Sequence, residues 1–242
     1  MISILLAASR SNPPPGWEEG LLFDIWRNLI QADRYKMLLD GLSVTMQVTL
    51  GAAVVGVTLG FFAALLKMSK LAPLRAAATA YITVIRGTPM VLQLMIMWFV
   101  VFGTSGVPRV TVGIIAFGIN SGAYVCEIFR AGILSVDHGQ TEAGRSVGLN
   151  SLQTMRLIIL PQAFKNALPP LCNEFISLFK ETAVLGYIGT MDLTMAGSVI
   201  RSRTFSAFVP LITVALIYLS IVMLMTWLLG SLERRLRKSD SR

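Results

Sequence analysis

The chain has 242 residues, 54% of them apolar and only 14% charged, against roughly a quarter charged in average soluble domains, and its mean hydropathy is +0.67. So little charge excludes an ordinary soluble domain and points to one membrane-embedded unit. The net charge of +8 does not indicate nucleic acid, because Lys and Arg are dispersed between apolar segments and form no basic stripe interleaved with aromatics.

In chain order, the first apolar run has no positive charge before it, which argues against a cleaved signal peptide. Pro13, Pro14 and Pro15 then force an extended stretch. Residues 21–39 are too charged to cross a bilayer, so 1–40 read as an external or interfacial N-terminal segment. A helix crossing the hydrocarbon needs roughly 20 apolar residues, and five such windows follow, at about 42–66, 77–102, 110–133, 165–199 and 207–230. The fourth is long and interrupted. The predicted fold class is an all-α integral membrane protein, with its transmembrane domain at 41–232 and a basic cytoplasmic tail at 233–242.

Orientation follows from the basic residues. Lys67, Lys70 and Arg75 flank the first connection, and Arg234, Arg235, Arg237 and Lys238 crowd the tail, which places both inside and the N-terminus outside. Arg109, Arg201 and Arg203 fall outside, against the trend. Near the inner start of the second window, Arg86-Gly87-Thr88-Pro89 loosens the helix, with Arg86 reaching toward headgroups. That motif reads as structural or gating.

Ionisable groups inside spans are expensive and face a cavity or a partner helix. The third window carries Asn120, Tyr124 and Glu127 on one helical face. In the fourth, Asn173, Ser177 and Lys180 adjoin Glu174, Ser177 and Glu181. Pro169, Pro170, Gly186 and Gly189 give that segment the composition of a broken helix whose freed backbone groups can meet a substrate. The stripes form a candidate site for an amino acid zwitterion: a carboxylate suits Lys180 or backbone amides, an ammonium suits Glu or Asn oxygens. The alternative is that Glu127 pairs with Arg130, or Lys180 with Glu181, merely to neutralise buried charge.

Between these windows lies a polar loop, 135–164, cytoplasmic by alternation. It reads as two short helices: Asp137 caps the first, Gly148, Asn150 and Ser151 supply a turn and the next cap, and Pro161 stops the second. Val147, Leu149, Leu152, Met155, Leu157, Ile158 and Ile159 give it a packing face, leaving Glu142, Arg145 and Arg156 to a partner. With one histidine, His138, the chain offers no metal-ligand set and no Ser-His or Cys-His pair, which argues against an intramembrane enzyme. Nothing resembles a channel filter.

The spacing Glu142-Ala143-Gly144, Gly148, Ile158, Leu160-Pro161 resembles the EAA signature of binding-protein-dependent ABC permeases, with Gly144 where the family usually has alanine. Arg86-Gly87-Thr88-Pro89 with Gln93, the stretch from Asn120 to Arg130, and Lys180-Glu181-Thr182 resemble that family's polar amino acid branch (histidine, glutamine, arginine, opine); the likeness covers about 40–232. The resemblance implies that the loop is a coupling helix received by two ATP-binding cassette subunits. It implies pairing with itself or a sister permease, an extracytoplasmic substrate-binding protein, a bacterial inner membrane location, and import of a polar amino acid, basic ones or opines included. No phosphate-binding loop is present, so no cofactor is expected in this chain; ATP and Mg would sit on the partner. A permease of the same type for a non-amino-acid solute is the nearest alternative.

Overall fold

A computed structural model describes residues 12–238, and every regular element among them is helical. The α-helices are α1 (Gly20–Ile25), α2 (Arg34–Lys67), α3 (Ala72–Arg86), α4 (Met90–Ile96), α5 (Arg109–Leu134), α6 (His138–Ser146), α7 (Ser151–Thr154), α8 (Leu160–Glu181), α9 (Leu193–Thr204) and α10 (Phe208–Lys238). Three helical stretches, Gly20–Lys67, Arg109–Leu134 and Phe208–Ser231, are long and apolar enough to cross a membrane. Two bent pairs, Ala72–Arg86 with Met90–Val101 and Ser151–Ile188 with Leu193–Thr204, raise the count to five if each is one span.

The scaffold is the pair α2 and α5, which lie close enough for backbone to meet backbone. A Cβ added at Gly60 would stand 2.6 Å from Val125 Cβ, and one at Gly118 would stand 2.5 Å from Val55 Cγ1. Between helices in lipid, attraction comes from such close packing, because the surrounding tails are as apolar as the side chains. Tyr81 of α3 fastens a third element by donating to the Ile119 carbonyl at 2.5 Å. Val48, Leu94, Phe117, Leu178 and Leu185, each at most 2% exposed, form the core where α2, α4, α5, α8 and the stretch after α8 meet.

Three expectations from the sequence are sharpened or corrected. The first window, 42–66, lies within a longer helix that begins at Arg34, and residues 20–33 before it are helical turns docked on the molecule. Asn28 is wholly buried. Its Oδ1 accepts from Thr204 Oγ1 at 2.6 Å, while Arg27 donates to the Thr204 carbonyl at 3.0 Å. Charge in 21–39 argued against a span, but part of it is paired within the segment, Arg27 with Asp24 and Lys36 with Asp33.

The second window is not one straight helix. It bends by 105° between α3 and α4. Pro89 lacks an N–H and pushes Thr88 out of helical geometry, so Arg86-Gly87-Thr88-Pro89 is the corner itself. Gln93 ties it together, Nε2 donating to the Ile85 carbonyl and to Thr88 Oγ1, both at 2.7 Å.

Pro161 does not stop the second loop helix either. A π-helical turn, Met155–Ile159, precedes it, and helix continues from Ser151 into α8, carrying Pro169 and Pro170 inside. A π-turn widens the ladder where a proline would otherwise clash with the preceding turn. The break in the fourth window comes later: a 3-10 stretch, Thr182–Ile188, then Gly189 at φ 71, then Asp192, whose carboxylate accepts from the Thr194 and Met195 amides to cap α9.

Candidate functional site

Two features are built on this scaffold, a hairpin at one end and a polar cavity above it. The hairpin is α6 and α7. Asp137 caps α6 by accepting from the Gly139 amide at 2.6 Å. The Gly148 amide then donates to the Arg145 carbonyl and the Leu149 amide to the Gly144 carbonyl, at 3.0 and 3.1 Å. With Gly148 at φ 87, this is the paired-bond helix ending that only glycine enters without strain. Asn150 and Gln153 close a reciprocal box at the start of α7, each amide donating to the other's side chain at 2.9 Å.

Gly144 is buried where the two helices cross. A Cβ there would stand 2.8 Å from Thr154 Cγ2 and 2.9 Å from Ile158 Cδ1. The departure from alanine thus matches larger neighbours opposite, and the close crossing offsets the ~1 kcal/mol that glycine costs inside a helix. The loop's apolar residues do not share one face: Ile159 packs inward at 5% exposure, while Val147 and Leu152 stand 77% and 76% exposed. Glu142, Ala143, Leu160 and Pro161 are exposed as well. Glu142 reaches His138, with Oε1 3.3 Å from Nδ1.

The cavity holds about 380 Å³, and its polar lining is Arg86, Tyr124, Glu127, Ser135, Asn166 and Glu174. The corner before α4 delivers Arg86, whose guanidinium lies 5.0 Å over the Tyr124 ring, a cation–π arrangement. Arg86 therefore points into the cavity and not to headgroups. Helix α5 contributes Tyr124 and Glu127, and α8 contributes Glu174, whose Oε1 accepts from Ser121 Oγ at 2.8 Å.

Glu127 is held on both oxygens: Lys67 of α2 bonds Oε1, and Arg130 donates to Oε2 from Nε at 3.0 Å and from Nη2 at 2.8 Å. The pairing with Arg130 weighed for Glu127 is present, and Lys67 joins it. Glu174 forms no salt bridge among the described residues, and it lines the cavity while bonded to Ser121.

Not every residue of the stripes converges here. Asn120 donates to Gln93 Oε1 at 3.0 Å and so belongs to the corner. Asn173, Lys180 and Glu181 are exposed on α8, Ser177 is half-buried beside them, and none lines the cavity. Sequence reading missed Ser121 and Asn166. Ser121 precedes Tyr124 by three positions, a helical spacing that would have placed it on that face. Asn166 stands eight positions before Glu174, a helical spacing too, but it sits at the very start of the 165–199 window, where a polar residue reads as the end of a span. Among the described residues no cluster of three or more His, Cys, Asp or Glu is arranged to hold a metal ion.

Residues 56–238 match the family described as binding-protein-dependent transport system inner membrane component. The chain is 38% identical over 205 residues to the arginine transport system permease protein ArtQ of Bacillus subtilis, covering 84% of this chain and 94% of that protein. It is 37% identical over 212 residues to the L-cystine transport system permease protein TcyB of the same organism, covering 86% and 90%. The fold matches a crystal structure described as an amino acid ABC transporter with histidines, at a TM-score of 0.80 and 44% identity, covering 84% of this chain and 96% of that one. Helical hairpin, broken spans and close small-residue packing therefore have one explanation: the chain belongs to the family of binding-protein-dependent transport system inner membrane components.

Proposed function

We propose that the chain forms the translocation path of an ATP-driven importer of polar amino acids, working by alternating access. The observation that carries this reading is the polar cavity joined by continuous helix to an exposed hairpin: α8 presents Glu174 and runs back through the π-turn to α7. Motion imposed on the hairpin reaches the cavity wall without crossing a flexible joint. Names of relatives that carry arginine and L-cystine supply the solute class.

In this reading Glu142, Ala143, Gly144, Gly148, Leu160 and Pro161 mark the element that two ATP-binding cassette subunits receive, and ATP with Mg is held by those subunits. The hairpin and the tail after 232 face the cytoplasm, residues 1–40 lie outside, and an extracytoplasmic binding protein delivers solute to that side. A second permease, identical or a sister, completes the path, with the exposed Asn173, Ser177, Lys180 and Glu181 of α8 turned toward it. The solute's carboxylate meets Arg86, whose planar fork suits it, and its ammonium meets Glu174 and the Tyr124 oxygen.

The test is ATP hydrolysis by the reconstituted complex with its binding protein across a panel of amino acids. Stimulation by one or more polar amino acids is expected. No stimulation by any of them removes the solute class while leaving the family membership in place.

A further inference from the structure

Beside the hairpin, and separate from the polar cavity, a half-enclosed apolar groove of about 530 Å³ opens between α2, α5 and the start of α8. Phe61 of α2, Met68 at its C-terminal cap, Phe129 of α5, Met155 of the π-turn, and Leu160 and Phe164 of α8 line it. Phe61 meets Phe129 edge-on with ring centroids 6.0 Å apart. It shares no lining residue with the polar cavity. Its volume lies within the ~300–1,000 Å³ typical of ligand sites.

The groove's shape and surroundings select one kind of occupant. Seven residue steps from Phe61 to Met68 rise about 10 Å along α2, roughly two-thirds of one leaflet of a ~30 Å hydrocarbon core. An extended chain fits that length. One end of it coincides with the end of α2, and two exposed cations follow lining residues closely in sequence: Lys70 two residues beyond Met68, and Arg156 one residue beyond Met155. Apolar lining along the bilayer depth and flexible cationic side chains anchored within two residues of it are complementary to an acyl chain carrying an anionic headgroup.

We propose that this groove is a binding site for an anionic phospholipid, one acyl chain lying between the first membrane helix and the π-turn and the phosphate at Lys70 and Arg156. The lipid would then wedge against Met155, inside the helix that links hairpin to cavity. This assignment does not depend on the identity of the transported solute.

The test places a tryptophan reporter on the groove wall by Leu65→Trp in the full complex, in phosphatidylcholine bilayers containing a small fraction of lipid with brominated chains. Brominated phosphatidylglycerol is expected to quench the added fluorescence more than brominated phosphatidylcholine at the same mole fraction. Lys70→Gln and Arg156→Gln should each reduce the preference about fivefold, following the ~1 kcal/mol that one surface cation contributes toward anionic lipid. Equal quenching by the two lipids would mean ordinary boundary lipid and overturn the proposal. Absence of quenching by either, or a preference that survives the double substitution, would overturn it too.

Discussion

Glu127 and Glu174 lie on facing helices around one cavity, yet their surroundings assign them different work. Glu127 is paired on both oxygens, with its own side chain 19% exposed and that of Lys67 20%. Replacing it by Gln leaves Lys67 half-sheltered and unpaired. Breaking a wholly buried pair costs roughly 3–5 kcal/mol; residual solvation here lowers that to roughly 2 kcal/mol, read as a fall in the melting temperature of the purified complex with solute affinity little changed. Glu174→Gln should do the reverse. It keeps a hydrogen bond to Ser121 and so its fold, but loses the carboxylate charge, and a charged hydrogen bond contributes about 1.5–3 kcal/mol. Solute affinity should fall about tenfold or more, measured by the concentration that half-stimulates ATP hydrolysis. Tyr124, Glu127 and Glu174 were legible as candidates because helical offsets put them on apolar spans. Arg86 was not, because a straight reading of its window sends it toward the headgroups, and only the 105° corner turns it onto Tyr124.

At the scale of the element, the hairpin's local signals were sufficient. Asp137, Gly148 and Asn150 each act where capping chemistry places them, since these are backbone effects decided within four residues. Pro161 was misread for the opposite reason: whether a proline ends a helix or follows a π-turn depends on what the helix packs against, and Thr154 and Ile158 are fixed by Gly144 opposite. The π-turn has a testable role. Pro161→Ala removes the reason for the extra residue, and a turn that reverts to regular α geometry rotates the hairpin by about 100° relative to α8. Solute-stimulated ATP hydrolysis should drop markedly while basal hydrolysis persists. Unchanged stimulation would show that the π-turn does not set the hairpin's orientation.

Across the whole molecule, α2 and α5 are the frame on which hairpin, cavity and groove are hung. Gly60→Leu would drive a side chain into Val125 and the Gly122 carbonyl, 2.6 and 2.9 Å from the first added carbon, and no rotamer avoids contacts made at Cβ. The variant should fail to yield folded subunit, judged by loss of the monodisperse complex on size exclusion. Five apolar windows, the long interrupted fourth among them, were readable from hydropathy alone, because the bilayer imposes length and composition on every crossing. Bend angles and helix starts were not. They are set by tertiary bonds such as Arg27 to Thr204 and Gln93 to Ile85, which join residues far apart in sequence or across a corner.

What unites these parts is the claim that the permease does no chemistry and moves only when its hairpin is moved. Glu142 is exposed and its carboxylate lies against His138 of the same exposed helix, so Glu142→Arg alters the docking surface without disturbing the spans. ATP-driven amino acid uptake into proteoliposomes measures the consequence directly. The account predicts that the Glu142→Arg complex, folded and still binding solute, loses uptake; uptake at the unaltered rate would contradict it.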